Sequence, residues 1–120
     1  MHNFVHIEIK VTDFDVAKKF YGNLFNWKVY SLPEMNNVAF YRIDEEEEQV
    51  GGAFLLTEKI PEESSIMLYI NTSDIDEMLN DIEGNGGKTI LPKTALPGGH
   101  GHIGRFRDPF GNLMGLWSEE

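Results

Sequence analysis

Residues 4–11 alternate in character: Val5, Ile7, Ile9 and Val11 share one face, and Phe4, His6, Glu8 and Lys10 share the other. A period of two marks a half-buried strand. Thr12-Asp13-Phe14-Asp15 then supplies capping oxygens and an acidic first turn, and Val16, Ala17, Phe20, Tyr21, Leu24 and Phe25 recur at helical spacing. This predicts an amphipathic helix ending near Asn26. Gly22 inside it costs about 1 kcal/mol relative to alanine, so close packing of helix on sheet is its expected reason. Three strand-like runs follow, at 27–31, 38–44 and 50–57, with a turn segment at 33–37 and an acidic hairpin tip at 45–48.

After a connector at 58–64 the pattern starts again. Residues 65–72 alternate, with Ile66, Leu68 and Ile70 opposite Met67, Tyr69 and Asn71. Ser73-Asp74-Ile75-Asp76 repeats the helix-start chemistry, Met78, Leu79 and Ile82 form an apolar stripe, and Gly84-Asn85-Gly86-Gly87 stops it. Strands are predicted at 88–91, 102–107 and 112–118, the last two joined by a tight turn at Asp108-Pro109-Phe110-Gly111. A shift of 61 residues lays the two halves over each other: Ile7 falls on Leu68, Ile9 on Ile70, Thr12 on Ser73, Asp13 on Asp74, Asp15 on Asp76 and Tyr21 on Ile82. Capping residues, strand phase and helix stripe agree at once, which reads as an internal βαβββ duplication of the α+β class.

Composition narrows the partners. The 120 residues carry 10 Lys+Arg against 20 Asp+Glu, a formal charge of −10. Nucleic-acid affinity depends on cations displacing condensed counterions, so nucleic acid and anionic membrane surfaces are poor partners. The charge is spread over both halves, six basic and ten acidic residues in 1–60 and four and ten in 61–120. The chain has no cysteine, which excludes disulfides and thiolate chemistry. The alternating N-terminus offers no apolar signal region, and no stretch approaches the roughly 20 apolar residues of a membrane span, so a single cytoplasmic domain over 1–120 is expected, with modules at about 1–60 and 61–120.

The segments VHIEIKVTDFDVAKKFYGNLFNWKV, IMLYINTSDIDEMLNDIEGNGGKTILP and RFRDPFGNLMGLW resemble the vicinal oxygen chelate superfamily of glyoxalase I, bleomycin-resistance proteins and extradiol dioxygenases. The resemblance covers nearly the whole chain. It implies two tandem βαβββ modules whose eight strands form a curved, incomplete barrel around a cleft with helices outside. It also implies a homodimer, since short members often pair.

In metal-dependent members, cleft-face side chains on the first and last strands of each module hold a divalent ion. His6, seven residues before Asp13, stands at such a position and is a competent ligand. Its counterpart Met67 is a thioether, which hard ions do not select. The family's last carboxylate comes four residues after the glycine of its DPxG turn; here that residue is Gly115. The fourth-strand position falls within 52–54, which offers no carboxylate, amide or imidazole. Three of four positions have lost their chemistry, so no cofactor is expected and a divalent metal is disfavoured. A relocated site built from His6, Glu8 and His100 or His102 stays open.

His6 and Glu8 are the candidate catalytic residues, as a general-base pair; a structural pair lining a wet groove is the alternative. Phe54, Met67, Tyr69, His102, Gly115 and Trp117 are the candidate substrate-binding residues. Aromatics on a concave face suit a small apolar or aromatic molecule, although small sheets also fill themselves. Gly51, Gly52 and Gly115 are expected to leave space, with close backbone approach or a bulge as the alternative, and the loop 96–102 to form a lid, with a plain connector as the alternative. The acidity favours a cationic ligand. The resulting expectation is a metal-independent member that binds a small apolar or aromatic molecule, with a metal-dependent lyase, isomerase or dioxygenase, or a dimeric interaction module, as alternatives. Arg105 and Arg107 alternate with Phe106 and have no assigned partner; surface charge is the expected reading, and a substrate carboxylate at one of them is the alternative.

Overall fold

The computed structural model describes residues 6–31, 33, 35–43, 50–62 and 66–120. Phe4, Val5, Asp44, the acidic tip 45–48 and Ser65 lie outside the described residues. The elements are β1 (His6–Val11), α1 (Phe14–Phe25), β2 (Lys28–Ser31), β3 (Val38–Arg42), β4 (Gly51–Leu56), β5 (Tyr69–Asn71), α2 (Ile75–Gly84), β6 (Lys88–Ala95), β7 (His102–Arg107) and β8 (Leu113–Ser118). Strand, helix and three strands thus occur twice, in the α+β class. Contacts divide the chain into two units, Met1–Ile60 and Pro61–Glu120. Each unit holds one four-stranded mixed sheet, ordered β1-β4-β3-β2 and β5-β8-β7-β6, and neither sheet closes on itself. No helix among the described residues is long and apolar enough to cross a membrane.

The repeated capping chemistry works in both units. Asp13 accepts from the Val16 N–H at 3.1 Å and Asp74 from the Glu77 N–H at 3.0 Å, each satisfying a backbone donor that the first helical turn leaves unpaired. Asn26 ends α1 in the left-handed region, at φ 60°. There it lets the Trp27 N–H reach back to the Tyr21 carbonyl.

In the first unit, Ala17, Phe20 and Tyr21 of α1 are buried on one face of the sheet. Tyr21 stacks on Trp27 with ring centres 4.9 Å apart, Trp27 stacks on Tyr41 at 4.7 Å, and Phe54 touches both tyrosines at 5.3 and 5.0 Å. Tyr41 pairs with Gly52 across β3 and β4, and its hydroxyl donates to the Ile7 carbonyl on β1 at 2.8 Å. The ring therefore crosses β4 at the glycine. A Cβ on Gly52 would strike the Ile7 carbonyl and lie 2.8 Å from the Tyr41 oxygen; one on Gly51 would lie 2.8 Å from the Tyr41 carbonyl. These glycines mark close approach, the alternative reading, and leave no cavity.

In the second unit, Ile75, Leu79 and Ile82 of α2 are buried on the face of the sheet that carries Phe106, Met114 and Leu116. Here the glycine that admits the helix belongs to the sheet: a Cβ on Gly104 would lie 2.9 Å from Ile75 Cγ2. The helix glycine Gly22 does not do this, since its Cβ would meet only the Trp27 carbonyl at 3.6 Å, an ordinary contact. β6 runs to Ala95, four residues beyond the predicted end. Pro92 is tolerated because β6 is an edge strand, and the register slips twice, between Thr89 and Leu91 and between Leu91 and Thr94. The predicted turn at 108–111 is present. Asp108 Oδ1 accepts from the N–H groups of Phe110 and Asn112 at 3.0 and 2.8 Å, and Gly111 has φ 95°.

Two stability measurements follow. Gly52→Ala is expected to cost about 2 kcal/mol or more, because backbone blocks the new methyl, whereas Gly22→Ala raises stability by up to about 1 kcal/mol; urea denaturation compares them. Burial pushes the Tyr41 phenol up to about 12 from its ordinary 10.0. A folded value above the unfolded one means that the neutral phenol stabilises the fold below pH 10, and this contribution is lost as pH rises through the folded value. Tyr41→Phe should therefore cost about 1 kcal/mol at neutral pH and flatten the alkaline fall, read from urea titrations between pH 8 and 12.

Candidate functional site

Residues paired across a ladder share a face, so register decides what each sheet shows on the side away from its helix. In the first unit His6 pairs with Gly51, Glu8 with Ala53, Phe40 with Ala53, and Tyr30 with Phe40. These side chains lie opposite the buried Ile9, Val11 and Tyr41. His6 Nε2 and Glu8 Oε2 are 3.2 Å apart, with side chains 43% and 53% exposed. Water screens such a pair, so it contributes under about 1 kcal/mol to stability. It does bring an imidazole and a carboxylate together. Its strand neighbours Gly51 and Ala53 carry no donor atoms, and no group of three or more His, Cys, Asp or Glu among the described residues could hold a metal ion. The donor set does not fit a divalent ion.

In the second unit Gly115 pairs with Tyr69 on one side and Arg105 on the other, and Trp117 pairs with Asn71 and Ile103. The Tyr69 ring lies directly over Gly115, in the space its Cβ would take. Arg105 Nε and Nη2 donate to the Tyr69 oxygen at 3.2 and 2.9 Å. Trp117 is held by its indole N–H, which donates to the His100 carbonyl at 3.0 Å. Its ring lies against Gly101, whose φ is 89° and whose carbonyl accepts from the Leu96 N–H at 2.9 Å. The glycine-rich loop is thus fastened to Trp117. Beside it lies an open depression of about 540 Å³ lined by Asn71, Thr72, Ser73, Trp117, Glu119 and Glu120. Met67 is half-buried and precedes the β5 ladder.

Tyr69, Gly115 and Trp117 therefore share one open face, as His6 and Glu8 share another. Two of the expected binding residues do not join them. Phe54 is 0% exposed and lies in the aromatic core against Tyr21 and Tyr41, on the face opposite His6. His102 pairs with Ser118, in phase with the buried Leu116 and Gly104, so it faces the α2 side; its Nδ1 is buried without a hydrogen-bond partner. Gly115 is no gap either, since the Tyr69 ring fills it.

Sequence reasoning missed Arg105 as the partner of Tyr69. The signal was available: pairing outward from the turn at 108–111 sets Arg105 beside Gly115. The acidity of the chain as a whole is not carried by the strands of this sheet. Strands β5 to β8 contain no Asp or Glu, and their charged residues are Lys88, Lys93, Arg105 and Arg107.

Residues 3–116 match the model of the Glyoxalase/Bleomycin resistance protein/Dioxygenase superfamily, and the chain belongs to that superfamily. The CFP32 proteins of Mycobacterium bovis and Mycobacterium tuberculosis, provisionally named glyoxylases, are 27% identical over 92% of this chain. The chain spans 43% of the length of these relatives. Among solved structures, the fosfomycin resistance protein FosX of Listeria monocytogenes superposes with a TM-score of 0.78 at 18% identity, over 98% of this chain and 93% of that one. A glyoxalase-related enzyme from Fulvimarina pelagi gives 0.75 at 20% identity, over 98% and 88%. These structural likenesses establish the fold.

The fastening of Trp117 can be tested at Gly101, where a Cβ would lie 2.5 Å from the Ser118 carbonyl and 2.9 Å from the indole. Gly101→Ala should cost about 1–3 kcal/mol and red-shift Trp117 fluorescence, measured in a Trp27→Phe background.

Proposed function

We propose that this chain is a metal-independent member of its superfamily that binds a small apolar or aromatic molecule on the open face of its second sheet. The observation that carries this reading is the placement of two exposed aromatic rings, Tyr69 and Trp117, on one face, each held by a hydrogen bond. Rings fixed before binding lose little conformational entropy when a ligand arrives, and their flat faces offer contact area to an apolar partner. The incomplete donor set around His6 supports metal independence. If the bound molecule is also transformed, the His6–Glu8 pair is the candidate proton acceptor, with the two side chains 3.2 Å apart on one face. A homodimer belongs to the same reading: Leu56 and Ile90 leave apolar side chains in water that a second copy would cover.

A thermal-shift screen of aromatic small molecules, with and without EDTA, tests the proposal. A ligand at 100 times its Kd should add about 2.7 kcal/mol of stability, unaffected by EDTA and lost in Trp117→Ala. Stoichiometric divalent metal in the purified protein, or aromatic binding that persists in Trp117→Ala, would overturn it.

A further inference from the structure

We infer that the open face of the β5 to β8 sheet selects an anion: its ligand is a small aromatic carboxylate, with the carboxylate at Arg105 and the ring beside Tyr69 and Trp117. This rests on the aromatic-binding reading above and specifies its chemical class.

Among the described residues, charge within the second unit is segregated by face. Five of its ten acidic residues, Asp74, Asp76, Glu77, Asp81 and Glu83, belong to α2 and its cap, and α2 packs on the other side of the sheet. Asp108 is buried in its turn, with both oxygens occupied by Phe110 and Asn112. Glu62 presents its backbone carbonyl to Arg107, which also donates to the Gly111 carbonyl at 2.7 Å. Glu119 and Glu120 lie beyond β8 at the Trp117 end. On the open face, Arg105 sits in register with Leu91 and Gly115, and Arg107 with Lys88 and Leu113. Among the described residues, Arg105 meets no carboxylate. In a chain of net charge −10, this face is cationic at its centre.

The geometry at Arg105 is that of an incomplete anion site. A guanidinium carries five N–H donors, and the two used here go to a neutral phenol oxygen. Three donors are left in a planar fork, the arrangement that takes a carboxylate through two parallel bonds. With its oxygen already accepting from Arg105, the Tyr69 hydroxyl still has its own proton to donate. The apolar half lies alongside. Trp117 stands two residues along β8 from Gly115, about 7 Å away, and Ile103 and Leu91 flank the pair from their registered positions. An anionic head and a flat apolar body match these two halves.

Benzoate, benzamide and benzylamine share one ring and differ in charge, so calorimetric titration of the full chain with each separates the readings. Benzoate should bind about tenfold or more tightly than benzamide at low salt, weaken as salt rises, and perturb the amide resonances of Tyr69, Arg105 and Trp117. Benzylamine should bind least. Arg105→Gln should bring benzoate and benzamide to equal affinity, and Arg105→Lys should restore part of the difference. Benzamide or benzylamine binding as well as benzoate would overturn the anion selectivity while leaving the aromatic site standing. Absence of binding by all three probes would overturn both. The wild-type ratio decides the matter even if an Arg105 variant fails to fold.

Discussion

The hydroxyl of Tyr41 reaches the carbonyl of Ile7 across an intervening strand, and it does so because that strand carries glycine at the crossing point. Much of the first unit follows from this one bond. Tyr41 lies flat under Trp27 and beside Phe54, so the aromatic stack fills the space between α1 and the sheet and closes the interior on that side. Tying β3 to β1 over β4 also fixes the phase of β1. Ile9 and Val11 go inward, and His6 and Glu8 are left on the opposite face. The second unit reuses the device with the opposite sense. Tyr69 lies across the glycine it pairs with, but on the open face, where its oxygen meets Arg105. A tyrosine over a glycine is structural in one sheet and part of the candidate site in the other.

The strand and helix order, both caps and the turn at 108–111 were legible in the sequence because each rests on local chemistry: alternation, an Asp before an apolar stripe, a Gly where φ turns positive. Face assignment on the later strands was not. Tyr69 is 61 residues after Glu8, but their ladder partners, Gly115 and Ala53, are 62 apart. A single-residue change in offset reverses which side chains point inward. Phe54 is in phase with Gly52, and the ladder sets both with Ile7, Ile9 and Tyr41 on the helix side, leaving Ala53 as the counterpart of Gly115. His102 opens a strand directly after a glycine-rich loop, where the flanking pattern does not fix its phase; its pairing with Ser118 sets it on the α2 side. Whether a strand glycine leaves space or is filled is not local information, because what occupies Gly52 and Gly115 comes from other strands.

The same facts explain why the superfamily's metal chemistry does not fit here. A divalent ion needs several oxygen or nitrogen donors converging from separate strands. The positions beside His6 and Glu8 hold Gly51 and Ala53, and the position of the last family carboxylate is covered by an aromatic ring. What replaces the ligand set is a neutral phenol and a guanidinium, both donors toward an incoming group.

The irregular edge at β6 bears on how the chain behaves in company. Pro92 lacks an amide donor, and the two slips in pairing break the even spacing of backbone groups along that side. A foreign extended segment arriving there finds no continuous row to dock on, and the opposite edge, β5, is only three residues long. Both margins of this unit are therefore poor templates for strand addition.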